Sequence, residues 1–505
     1  MTLTDTSTSL GRRAEQVLER LGDHQSLCFE GRWFGSGELA GRARRAAAGF
    51  VDLGVKPGDR VVVCMANCPE VSLTYGALWR AGAVPTPVLF LLTEDEIRHV
   101  VQDSGAVACV TTPEFLPKVQ AAAGTLPVVV VGERTEGPEK VVPWEQLESG
   151  DELALVDRAG DDLAALLYTG GTTGRSKGVA LSHASLDAAG YAANTAAYSP
   201  GRNSILLPLP LAHAYGLLVN VASLHSREPG RAVLMRWFDP AGWVGLVEEH
   251  RLQTSALVPS MIQMVLAQPL EEHDLTSLER VSSGAAPLAP DVAAEFERRI
   301  PGCEIREGYG CTETSALISA QPSDARRMGS VGKPVAGVEV RIVDADGAVL
   351  GADEDGEICV RGPVLMTGYW NSQEATDHAV RDGWLHTGDI GRIDKDGYLY
   401  VVDRIKDLII RGGFNVYPRD VEDVLLAHPA VVGAAVVGKP DAKLGEEVVA
   451  FIQLGGEATA DELVAYAREH LGAYKYPREV RIVDSIPLTS VMKLDRKALR
   501  AQLSG

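Results

Sequence analysis

The stretch Tyr168-Thr-Gly-Gly-Thr-Thr-Gly-Arg-Ser-Lys177-Gly178 decides how the rest of the chain is read. The apolar run Leu163 to Leu167 precedes it and reads as a strand. Gly170, Gly171 and Gly174 let the backbone turn back and point N–H groups inward. Thr169, Thr172 and Thr173 add hydroxyl donors, and Lys177 adds a mobile positive charge. A loop of this kind grips polyphosphate through backbone donors and one cation. It is not a Walker A loop, because no Gly-Lys-Ser/Thr falls at the required spacing.

Outward from the loop, the first third alternates strand and helix. Arg60 to Met65 is a β-branched run. Val71, Tyr75 and Leu78 then fall at helical spacing after Pro69, and Val84 opens another buried strand. The rhythm returns at Ser255–Pro259 and Arg280–Gly284, which predicts parallel sheet covered by helices. From 337 to 403 the texture becomes β-rich. Asp346-Gly347, Asp355-Gly356, Asp382-Gly383 and Asp396-Gly397 read there as hairpin turns. From about 404 to 505 a third texture predicts a small α+β domain. It has a helix opened by Pro418, strands at Val431–Val437, Val448–Leu454 and Val480–Val483, and a capping box at Thr459 and Glu462. The expected architecture is α/β: a large N-terminal domain (1–403) of stacked sheets with a β-rich subdomain, then a small mobile C-terminal domain (404–505).

Composition bounds the partners. The 505 residues include 48 basic and 68 acidic side chains, a net charge of -20. That field repels nucleic acid and anionic membrane, so an anionic ligand must be caught by local cations and N–H groups. The seven cysteines are scattered through apolar contexts, which reads as a reducing, cytoplasmic setting without disulfides. Cys64 and Cys68 lack the second pair that a zinc site requires. Val84 to Leu92 is broken by Pro85 and Pro87 and is far short of the ~20 residues of a membrane span.

With these motifs in order, the chain resembles the acyl-adenylate-forming superfamily, which includes acyl-CoA synthetases, peptide-synthetase adenylation domains and luciferases. The phosphate loop is similar to that family's, with Gly170 in place of a serine and Ser176 in place of a proline. Pro210-Leu-Ala-His213-Ala-Tyr-Gly216 resembles the segment beside the acyl pocket, and Ser283-Gly-Ala-Ala-Pro287 the element that touches adenine and acyl group. Gly308-Tyr-Gly-Cys-Thr-Glu313, Gly383-Trp-Leu-His-Thr-Gly-Asp389, Asp403-Arg-Ile-Lys406-Asp and Arg411-Gly-Gly-Phe-Asn-Val-Tyr-Pro418 follow. Pro487-Leu-Thr-Ser-Val-Met-Lys493 closes the series.

The resemblance implies ATP-dependent activation of a carboxylic acid to acyl-AMP, then transfer to the thiol of CoA. The alternatives are transfer to a carrier-protein thiol, or a non-catalytic nucleotide-binding relative. It implies that Thr169 to Gly174 and Lys177 hold the β- and γ-phosphates. Thr312 and Glu313 position Mg²⁺, with Glu313 the metal ligand. Gly284, Ala285, Ala286, Pro287, Gly308, Tyr309 and Gly310 surround the adenine. Asp389 and Arg404 serve the ribose, Lys493 bridges the carboxylate and the α-phosphate, and His213, beside the acyl group, counts with Lys493, Thr312 and Glu313 as catalytic. Lys406 is then the hinge, and Gly412 with Gly413 lines the thiol tunnel. Met492 stands where the family has glycine. No acid flanks His213 to hold an α-amino group, which points to an apolar monocarboxylic acid, fatty or carbocyclic. Arg231 and Arg236 are the arginines that would meet a second carboxylate if they point inward. The protein is expected to be a monomer or a homodimer.

Overall fold

A computed structural model describes residues 8–132, 141–169, 175–489 and 494–503. Val61, Val62 and Val63 are fully buried in strand Arg60–Cys64. A run apolar on both faces suits a parallel sheet covered from both sides. That strand pairs in parallel with Val84–Pro87 and with Ala108–Thr111. Val128–Val130 and Val141–Pro143 complete a five-stranded sheet.

A second, nine-stranded sheet carries the site. Its central strands Ser204–Leu207, Thr254–Leu257, Arg280–Ser283 and Glu304–Tyr309 run parallel. Ser319–Ala320 and Lys333–Pro334 add antiparallel strands at one edge. The hairpin Leu163–Thr169/Lys177–Ser182 forms a three-stranded sheet with Gly368–Tyr369. The β-rich region is a five-stranded antiparallel sheet built on Gly356–Arg361, Trp384–Ile393 and Leu399–Arg404. A last five-stranded sheet spans Ile409–Arg411 to Glu479–Ile482. Helices Pro418–Leu426 and Ala460–His470 pack on it around Val421, Leu425, Val436, Val448 and Leu463. The capping box expected at Thr459 and Glu462 is present, each side chain bonded to the other residue's N–H.

Three of the four Asp-Gly pairs are turns with glycine at positive φ: Gly347, Gly383 and Gly397. Asp355-Gly356 is not. Gly356 begins a strand, where a Cβ would collide with the Val343 carbonyl.

Candidate active site

The phosphate-loop motif sits at a hairpin tip. Thr169 ends one strand, Lys177 begins the next, and the two residues are cross-strand partners. Gly170, Gly171, Thr172, Thr173 and Gly174 lie outside the described residues, as do Met492 and Lys493. Lys177 places its ammonium 5.3 Å from the centroid of the Tyr369 ring, a cation–π distance. The Tyr369 hydroxyl donates to Glu313 Oε1 at 2.9 Å. Lys177, Tyr369 and Glu313 therefore form one group. Tyr369 was missed in the sequence. The pairing of Tyr369 with Val179 brings it there, across 190 residues of chain.

Glu313 lies in the short 3₁₀ turn Thr312–Thr314, which follows strand Glu304–Tyr309. Gly310 lies between them, pressed against the Ala316 backbone where no Cβ fits. Gly308 and Gly284 come from the ends of neighbouring parallel strands, and a Cβ on Gly284 would lie 3.1 Å from the Gly308 carbonyl oxygen. Ala285 holds φ +69°, a left-handed conformation uncommon outside glycine.

Asp389 is 4 % exposed and gathers two donors. The Tyr309 hydroxyl donates to Oδ2 at 2.6 Å, and Arg404 Nε lies 2.8 Å from Oδ1. The pairing raises the Arg404 pKa further, with Asp389 the main cause. Burial, reinforced by the Asp389 charge, pushes the Tyr309 phenol well up, so it stays a donor. Carboxylate oxygens offer about four lone-pair sites, so two remain for a ligand.

His213 is the N-cap of helix Ala214–Ser223 and accepts from Tyr215 N–H through Nδ1 at 3.4 Å. It borders a cavity of about 680 Å³ whose lining includes Ser283, Gly284, Gly308, Tyr309 and Thr312. Lys406 lies in the 3₁₀ turn Ile405–Asp407, and its pKa is lowered by burial and by Arg404. Gly412 and Gly413 have φ +59° and +83°. They form the two-residue turn between strands Ile409–Arg411 and Phe414–Val416, a geometry that demands positive φ at both positions. Backbone conformation alone thus accounts for this glycine pair.

Glu357, Cys359 and His386 come together on adjacent strands, with ligand atoms within 4.8 Å of one another. His386 Nδ1 lies 2.7 Å from Glu357 Oε2 and 3.4 Å from Cys359 Sγ. Burial pushes the Cys359 thiol up to about 11. Arg341 is its partner on the next strand, and a guanidinium there opposes a cation. Spacing along the chain gave no sign of this cluster, because cross-strand register creates it.

Comparisons with known proteins agree with the geometry. Residues 14–370 match the model of the AMP-binding enzyme family, and residues 420–493 match the AMP-binding enzyme C-terminal domain. The chain is 36 % identical to 4-coumarate–CoA ligase 5 of Oryza sativa subsp. japonica, over 97 % of this chain and 94 % of the relative. It is 37 % identical to a feruloyl-CoA synthase of Amycolatopsis sp, over 92 % of each. Among solved structures, ATP-bound MatB from Rhodopseudomonas palustris superposes with a TM-score of 0.88 at 30 % identity, over 98 % of this chain and 99 % of that one. The family models cover both ends of the motif series, and the relatives span nearly the whole chain. The chain therefore belongs to the AMP-binding enzyme family and is an AMP-forming acid–thiol ligase of the acyl-CoA ligase type.

Proposed function

We propose that this enzyme adenylates a carboxylic acid with a mainly apolar body, in the cavity beside His213, and then passes the acyl group to CoA. The observation that carries this reading is the cavity itself. It joins the His213 helix to Gly284, Gly308 and Thr312, the strand ends beside which Asp389 holds two donors.

A carboxylate attacks poorly at an anionic triphosphate, so positioning and charge neutralisation dominate catalysis. Asp389 accepts the ribose hydroxyls, with Arg404 and Tyr309 fixing its orientation. Tyr309 presents its ring to the adenine, flanked by Gly284, Ala285, Ala286 and Pro287. Lys177 and the Thr169–Gly174 loop hold the β- and γ-phosphates, and Lys493 neutralises charge between carboxylate and α-phosphate. Glu313 suits a hard cation: Tyr369 engages Oε1, and a carboxylate has a second oxygen to offer. Magnesium takes one or two carboxylates together with substrate phosphates. When bound there it neutralises phosphate charge.

The segment from 404 onward is then a small domain that turns about Lys406. It withdraws Lys493 after adenylation and brings the Gly412–Gly413 turn to the thiol path. Six of the seven free cysteines are buried, which suits a cytoplasmic setting. No helix among the described residues is long and apolar enough to cross a membrane. The test is ATP–pyrophosphate exchange over a panel of fatty, aryl and carbocyclic acids, followed by product analysis with CoA. Acid-dependent exchange and an acyl-CoA product are expected. Absence of exchange with every acid overturns the reading.

A further inference from the structure

The same cavity holds a cation to which none of the described residues supplies a carboxylate. Arg280 opens strand Arg280–Ser283, four residues before Gly284, and lines the cavity with Ser282. It is only 7 % exposed. Its Nη2 donates to the Ala197 carbonyl at 2.7 Å, at the C-terminal end of helix His183–Ala197. Its Nε is buried and has no hydrogen-bond partner among the described residues.

The acids next to Arg280, its chain neighbour Glu279 and its cross-strand partner Glu304, are already engaged. Glu279 pairs with Arg202 at 2.8 Å, and Glu304 pairs with Arg306 at 2.8 Å. The two arginines that the sequence suggested are also accounted for. Arg236 pairs with Glu30 at 2.7 Å, and Arg231, which also lines the cavity, is exposed with Nη2 on the His250 carbonyl. Tyr215 lines the cavity too, and the positive charge of Arg280 acts on its phenol.

A guanidinium stays charged even where it is buried. Buried charges are normally matched by an opposite charge or by a full set of hydrogen bonds. Here the described residues provide one helix-end carbonyl. Among the described residues no carboxylate pairs with this guanidinium, and its place on the cavity wall leaves that role to a ligand.

We propose that Arg280 recognises a second carboxylate at the far end of the acyl substrate, so that the acid activated here is a dicarboxylic acid with an apolar middle. The proposal rests on the reading above that this cavity takes the acyl group. It replaces the expected monocarboxylic acid with one charged at both ends. Four strand steps separate Arg280 from Gly284, roughly 13 Å. Taken with the length of an arginine side chain, that distance suits carboxyl groups about 8–12 Å apart. Aliphatic diacids of roughly eight to ten carbons fit that span, as does a cinnamic acid with a para carboxyl group.

The experiment is pyrophosphate exchange by the full-length enzyme on matched acids. The pairs are octanedioic against octanoic, decanedioic against decanoic, and 4-carboxycinnamic against cinnamic acid, with 4-coumaric acid as the neutral hydroxyl arm. The intact enzyme should use at least one diacid with kcat/KM about tenfold or more above its monoacid partner, the value of one charge-assisted contact. Arg280→Met should raise KM for that diacid by a similar factor and leave the monoacid unchanged or improved, which also shows that the variant is folded. Arg280→Lys should retain part of the preference. A preference of the intact enzyme for monoacids or 4-coumaric acid over every diacid overturns the proposal. Equal loss on all acids in Arg280→Met, without recovery in Arg280→Lys, also overturns it, leaving Arg280 as a cap on helix His183–Ala197. Exchange with no acid of either kind instead overturns the adenylation reading beneath it.

Discussion

Asp389 and Arg404 occupy directly opposed positions on two antiparallel strands, with Arg404 Nε 2.8 Å from Asp389 Oδ1. The strand pairing itself delivers the guanidinium to the carboxylate. The Tyr309 hydroxyl reaches the other oxygen from the nine-stranded sheet. Two adjacent strands and a tyrosine 80 residues upstream are thus joined at one buried acid.

Asp389→Ala should raise the apparent KM for ATP tenfold or more. Hydrogen bonds to a charged acceptor contribute about 1.5–3 kcal/mol each, and two ribose hydroxyls would lose theirs. Asp389→Asn should fall between, because one oxygen acceptor remains. Initial-rate pyrophosphate exchange at varied ATP measures both. An unchanged ATP dependence would reduce Asp389 to a strand residue that anchors Arg404.

Tyr369→Phe should separate Glu313 from its neighbour while keeping the ring that Lys177 faces. The lost bond is to a carboxylate, so about 1.5 kcal/mol or more is at stake, roughly tenfold. The expected effect is a higher Mg²⁺ concentration for half-maximal adenylation, with the thioester step from synthetic acyl-AMP little changed. Tyr369→Ala should do worse, because the ring is lost as well. A magnesium titration that does not move in Tyr369→Phe would show that the Glu313 contact is only structural.

His183 gives a pH dependence. Its Nδ1 accepts the Leu10 N–H at 3.2 Å, and burial, aided by Arg158, lowers its pKa from 6.5 to about 4. The folded state therefore holds the neutral ring, while the unfolded chain takes up a proton at higher pH. This stability is fully present above about pH 6.5 and is lost as pH falls toward 4, amounting to about 3 kcal/mol. Urea unfolding between pH 7 and 4 should show that slope. His183→Asn keeps an acceptor without titrating, so it should flatten the profile at some cost in packing. Parallel profiles in the two proteins would assign the acid sensitivity elsewhere.

The course of the chain was legible wherever local rules acted alone. The Val61–Val63 run, the helix after Pro69 and the Thr459 capping box depend on neighbours within a few residues. The order of motifs also singled out Tyr309, Glu313, Asp389 and Arg404, which the structure shows in contact with one another or with Tyr369. What stayed hidden depends on register between distant strands. Tyr369 gains its partners only when Gly368–Tyr369 pairs with Lys177–Ser182. Arg280 is hidden for a different reason. A charged residue at the start of a strand reads as solvated surface, and only the packed structure reveals its buried Nε. Asp355-Gly356 carried a turn signal, yet its glycine is there for close approach to Val343.

The two half-reactions should separate genetically. Under the proposed function Lys493 acts only in adenylation, since its cation is needed where carboxylate and α-phosphate meet. Lys493→Ala should therefore abolish pyrophosphate exchange yet still turn synthetic acyl-AMP and CoA into thioester. Lys406→Pro addresses the other step. Lys406 lies in the Ile405–Asp407 turn between strand Leu399–Arg404 and the start of the last sheet. Proline fixes φ near -65° and also constrains the residue before it. If the chain needs two backbone arrangements at this turn, one for each step, proline removes one of them. If, as proposed, the arrangement with Arg404 on Asp389 serves ATP, exchange should persist while thioester formation falls tenfold or more, the scale of a barrier raised by about 1.4 kcal/mol. Paired kinetics on each variant decide the matter. Equal loss of both activities in both variants would mean that one arrangement serves both steps, and that the segment after residue 404 does not turn about Lys406.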